Sequence, residues 1–79
     1  MTWNYRIIKE VVTGLGEEPM DAYGIHEVYY GPDGEPETCS EAVQPYGETL
    51  DELRSDLSRM MGAFEKPVLD MVLFESKEP

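Results

Sequence analysis

The chain has 79 residues, 17 of them Asp or Glu and 6 Lys or Arg, for a formal net charge of −11 at pH 7. That balance works against direct binding of DNA or RNA, because affinity for a phosphate backbone comes largely from Lys and Arg displacing counterions. Hydrophobic residues make up 41% and include five Tyr, two Phe and one Trp, which argues for a folded chain rather than a disordered acidic one.

Such a length makes one domain. It sits near the lower limit for a self-sufficient core, since below roughly 70–80 residues a single core rarely supplies more than ~3–5 kcal/mol, and a self-associating surface is expected. No apolar run approaches the ~20 residues of a membrane span, and the start, Met1-Thr2-Trp3-Asn4-Tyr5-Arg6, has no signal-peptide layout, so a cytoplasmic protein is expected. The one cysteine, Cys39, cannot form an internal disulfide and excludes a zinc site built on several thiolates. From Glu10 to Leu53 there is no Lys or Arg, while twelve carboxylates fall in that stretch. These acids keep a small protein soluble, and they would also suit a basic protein partner.

In chain order, a first strand is expected at about 3–12, rich in Trp, Tyr, Ile and Val. Its odd positions, Trp3, Tyr5, Ile7 and Val11, are directed toward a helix later in the chain. Residues 13–21 read as a long acidic hairpin loop. A second strand at about 22–30 is nearly as apolar on one face as on the other, which suggests a central position. Gly31-Pro32-Asp33-Gly34 has Pro and Asp where a type I turn wants them and Gly where a left-handed residue is needed. The third strand, about 35–43, is polar and carries Pro36 near its start, so it belongs on an edge.

The one helix is expected at about 49–64. Thr49 is the N-cap and Glu52 its partner in a capping box. Leu50, Leu53, Leu57, Met60, Met61 and Phe64 recur at three- and four-residue spacing, a stripe meant for burial against a sheet. Gly62 and Pro67 bring the helix to its end. A fourth strand at about 67–74, apolar apart from Asp70, completes the sheet, and residues 75–79 read as a charged tail. The expected fold is α+β, β-β-β-α-β, with a mixed four-stranded sheet in the order 3-2-1-4 and the helix on one face, which obeys the right-handed crossover rule. Ile8, His26, Val28, Tyr30, Val72 and Phe74 then line an opposite face with nothing left in the chain to cover it. That face is the expected interface, for a homodimer or another partner.

Candidates for chemistry are few. His26 is the one residue of a type suited to general-base work near neutral pH, and it needs a partner and a pocket to act as one. Cys39 has no basic neighbour in sequence to activate it. Neither Asp33-Glu35-Glu37 nor Glu17-Glu18-Asp21 has the ligand spacing of a calcium loop. The glycines mark turns rather than a phosphate cradle. No metal or cofactor is expected, and no catalysis. The topology also places Glu17, Glu18, Asp21, Glu41 and Glu48 toward one end of the sheet, a candidate acidic end for a basic partner.

Several blocks carry a resemblance. Trp3-Asn4-Tyr5-Arg6, Ile25-His26-Glu27-Val28-Tyr29-Tyr30, Gly47-Glu48-Thr49 followed by Leu53, and Lys66-Pro67-Val68-Leu69 look like recurring blocks of a family of small, uncharacterised bacterial proteins. More distantly, the strand meander followed by Gly47-Glu48-Thr49-Leu50-Asp51-Glu52 at a helix start resembles the HicB-like antitoxin domain. That resemblance implies a partial double-stranded-RNA-binding-like fold whose partner is a small basic toxin. The chain departs from it in lacking a C-terminal DNA-binding module and in having a helix poorer in alanine.

Overall fold

A computed structural model describes residues 2–14, 16 and 18–75. Strands β1 (Thr2–Val12) and β2 (Met20–Tyr30) form a long antiparallel hairpin, with Thr2 opposite Tyr30 and Val12 opposite Met20. The β-branched and aromatic content of both runs explains why each persists for 11 residues. At Gly31 the chain turns as its sequence predicts. Gly34 takes φ 84°, its N–H donates to the Gly31 carbonyl at 3.0 Å, and a register shift between Tyr29 and Tyr30 absorbs the extra residue.

Strand β3 is Pro36–Cys39, shorter than the sequence suggests. The backbone nevertheless stays beside β2 as far as Val43: Ser40 N–H donates to the Glu27 carbonyl at 2.9 Å and Val43 N–H to that of Ile25 at 2.8 Å. Ser40 breaks the regular ladder because its hydroxyl accepts from Glu27 N–H at 3.0 Å and donates to the Glu41 carbonyl at 2.7 Å.

Helix α1 is Leu50–Met61, continued by a 3-10 turn, Gly62–Glu65. Thr49 caps it from an extended conformation and accepts from Glu52 N–H at 3.1 Å. The Glu52 carboxylate reaches one residue further back than a capping box predicts and takes the Glu48 N–H at 3.0 Å. Gly47 lies against this first turn, where an added Cβ would collide with Leu53 N and the Glu52 carbonyl carbon. The close approach explains a glycine at that position.

Strand β4 is only Leu69–Asp70, parallel to β1 with Ile8 opposite Leu69, and gives the sheet order β3-β2-β1-β4. The architecture is the expected α+β fold with β-β-β-α-β topology. The last element corrects the sequence reading. Instead of running as a strand to Phe74, the chain leaves the sheet at Asp70, whose carboxylate caps a 3-10 turn, Met71–Phe74, by accepting from Val72 N–H at 3.0 Å.

Among the described residues the core is small: Ile7, Ile8, Val28, Met60 and Ala63 are the buried apolar side chains, with Arg6 and His26 buried among them. Glu17 of the expected acidic end and residues 76–79 of the expected tail lie outside the described residues.

Candidate functional site

The cross-strand register settles the two faces of the sheet. Tyr5 lies opposite Glu27 and Ile7 opposite Ile25, so odd-numbered residues of β1 and β2 share one face and even-numbered residues the other. The helix lies on the odd face, as expected: an open cleft of about 380 Å³ is lined by Trp3, Asn4 and Tyr5 from β1 and by Arg59, Gly62, Ala63, Glu65 and Lys66 from the helix end.

The even face is closed by the chain itself. Ile8 and Val28 are each 0% exposed and His26 is buried, while Tyr30 is half-buried. The Met71–Phe74 turn packs on β1 and β3, and Met71 and Phe74 line a surface depression with Glu37, Thr38 and Cys39. Because Cys39 pairs with Val28, that depression lies on the even side. The expected bare underside is therefore corrected: Ile8 and Val28 have no free surface and His26 keeps only 4%, Tyr30 and Phe74 retain part of theirs, and Val72 is the most exposed of the six, at 67%. The reason is the carboxylate of Asp70, which turns the last apolar residues across the sheet rather than along it.

Arg6 completes this face from within. Its guanidinium donates to the Tyr30 hydroxyl at 2.7 Å and to the Pro67 carbonyl at 2.8 Å, and Tyr30 in turn donates to Asn4 Oδ1 at 2.8 Å. The Arg6 Nε–H is buried without a partner among the described residues. This residue ties β1 to the point where the chain returns from the helix, a role the sequence reading missed. Its signal was an arginine on the even, inward parity of a central strand.

The groups considered for chemistry are occupied. His26 Nδ1 lies 2.8 Å from the Ser40 carbonyl, which can only accept, so this nitrogen carries the proton and donates. Burial, and then the nearby Glu10 carboxylate, push the Cys39 thiol above its ordinary value, away from a reactive thiolate. Of the acidic positions, Glu18 and Asp21 are exposed at the hairpin end, Glu41 is exposed beside β2, and Glu48 is exposed before the helix. Glu18 and Asp21 belong to the β1–β2 hairpin, and Glu41 and Glu48 to the connection between β3 and α1.

What the structure leaves open is the helix. Only Met60 of its periodic stripe is buried, at 2%, and the contact is completed by Ala63, at 1%. Leu50 is 70% exposed, Leu53 37%, Leu57 45%, Met61 54% and Phe64 64%. The helix docks through a different edge. Asp56 accepts from Tyr46 N–H at 2.9 Å and pairs with Arg59 at 2.8 Å, and its side chain is only 15% exposed. Successive helix residues advance by about 100°, so the edge through Asp56, Met60 and Ala63 lies well round from the line Leu50-Leu53-Leu57-Met61. The apolar line thus faces outward, and on the helix side of the sheet Val11 and Tyr23 are also exposed, at 58% and 63%. This surface, not the underside, is the candidate functional site.

No family model, no curated protein and no solved structure matches the chain.

Proposed function

We propose that the protein is a non-catalytic protein-interaction domain whose contact surface is the outward apolar line of α1. The observation that carries this is the exposure of Leu50, Leu53, Leu57, Met61 and Phe64, all between 37% and 70%. A contiguous apolar surface of that kind marks an interface more often than a chance exposure. The engagement of His26 with Ser40 and the raised thiol of Cys39 support a role without catalysis.

Replacing Leu53 and Leu57 together by Lys tests the proposal. Both side chains are already partly in water, so circular dichroism and melting should change little, while association detected by cross-linking in cells should disappear. Unchanged association in a folded variant would show that the line is not the contact surface. A second reading, an antitoxin-like adaptor for a small basic protein, draws on the exposed acids Glu18, Asp21, Glu41 and Glu48. Its complex would dissociate as salt is raised, whereas one held by the apolar line would not.

A further inference from the structure

We infer that the occupant of this surface is a second copy of the chain, its α1 packed antiparallel across a two-fold axis at Leu57. The inference rests on the proposal that the helix line is the contact surface, and it names the partner.

The first argument is area. The folded chain, of 9.0 kDa, exposes 6007 Å². A monomeric protein of this mass is expected to expose about 4,900 Å². The excess, roughly 1,100 Å², is comparable with the ~800 Å² that each partner contributes to a standard stable interface. A chain with so few buried apolar residues needs the missing wall whenever it folds, and the one molecule present in equal amount wherever it is made is another copy of itself.

The second argument is self-complementarity, which a two-fold interface demands. Antiparallel pairing about Leu57 sets Leu50 against the partner's Phe64, Leu53 against the partner's Met61, and Leu57 against the partner's Leu57. Each exposed apolar residue of the line meets another. The same register sets Glu48 opposite the partner's Lys66. Charge does not forbid this patch: Arg54, Arg59 and Lys66, half of the chain's six basic residues, offset three of the five carboxylates between Glu48 and Lys66, which softens the repulsion between two copies where the helices approach.

Sedimentation velocity of the full chain, together with disulfide trapping, tests the inference. The wild type should sediment as a dimer and Leu57→Lys as a monomer at the same concentration. In a Cys39→Ser background, Leu57→Cys should oxidise to a covalent dimer, while Leu50→Cys and Phe64→Cys should cross-link to each other when mixed. Glu48→Lys or Lys66→Glu alone should weaken the dimer roughly two- to fivefold, and the two together should restore it. These charge variants keep the test decisive even if the cysteine variants fold poorly. A wild type that is monomeric at every concentration overturns the inference; if such a monomer still makes line-dependent contacts with another protein in cells, the interaction-domain proposal survives. A dimer that persists in Leu57→Lys, without trapping at Leu57, also overturns the inference, because another surface then holds the two copies.

Discussion

Arg6 shows how a charged side chain can be structural in a chain this acidic. It is only 9% exposed, and its guanidinium meets neutral oxygens of Tyr30 and Pro67 rather than a carboxylate. His26 and Ser40 do similar work across the second interior strand. Cys39 and Tyr5 carry a consequence for pH. Burial and Glu10 raise the Cys39 thiol above 9.0, and burial, then Asp56 and Glu27, raise the Tyr5 hydroxyl above 10.0. A group whose folded-state pKa is raised holds its proton longer in the folded chain, so its contribution is complete below the unfolded pKa and is lost as pH climbs through the folded one. The melting temperature should therefore be insensitive to these groups near neutral pH and fall above about pH 9, the first part of the fall disappearing in Cys39→Ser. A thermal melt series across the alkaline range reads this directly, and a fall that is identical in Cys39→Ser would exclude the thiol as its source.

Two short elements, the Gly62–Glu65 and Met71–Phe74 turns, decide which surfaces are free. The Met71–Phe74 turn packs on β1 and β3, the strands on either side of β2, where Val28 is 0% exposed, while Val72 on the turn itself is 67% exposed. Val28→Lys should cost about 3–5 kcal/mol, the cost of an uncompensated buried charge, and unfold much of the protein. Val72→Lys should shift stability by less than ~0.5 kcal/mol. Urea unfolding separates the two, and a tolerated Val28→Lys would mean that the underside is open after all. The same two elements mark how far the sequence was legible. Strand order, the Gly31–Gly34 turn and the Thr49 cap could all be read, because turn residues and caps act locally. The last strand was misread because its one polar residue, Asp70, was counted as an interruption of an apolar run when it is the cap that ends the strand. The helix line was correctly periodic, yet periodicity gives a stripe without saying which wall it meets. Here Ala63, small enough for close approach to β1, sets a neighbouring edge against the sheet, and Asp56, bound to Tyr46 N–H, ties that edge to the segment that leads into the helix.

The whole molecule is wide and thin, with extents of 40 × 38 × 21 Å and a radius of gyration of 14.4 Å. A compact domain of this length would have a radius of gyration of about 12 Å. Two features contribute to the difference and to the excess accessible surface: a β1–β2 hairpin with 11-residue strands, and a helix that stands on the sheet by one edge instead of lying down on its apolar face. Two opposing forces then act on association. The outward leucines favour it, and a formal charge of −11 on each copy opposes it. Salt separates them, because the screening length falls from ~10 Å at 0.1 M to ~3 Å at 1 M while apolar contact is undiminished. The antiparallel pair loses the small contribution of its Glu48 to Lys66 contacts but is relieved of repulsion between two acidic bodies, so its dissociation constant should fall several-fold as sodium chloride rises from 0.1 M to 1 M. A dilution series followed by sedimentation at both salt concentrations measures it. A dissociation constant that rises instead would place the attraction in charged contacts, which is the behaviour of an acidic surface holding a basic partner and not of two leucine lines meeting at Leu57.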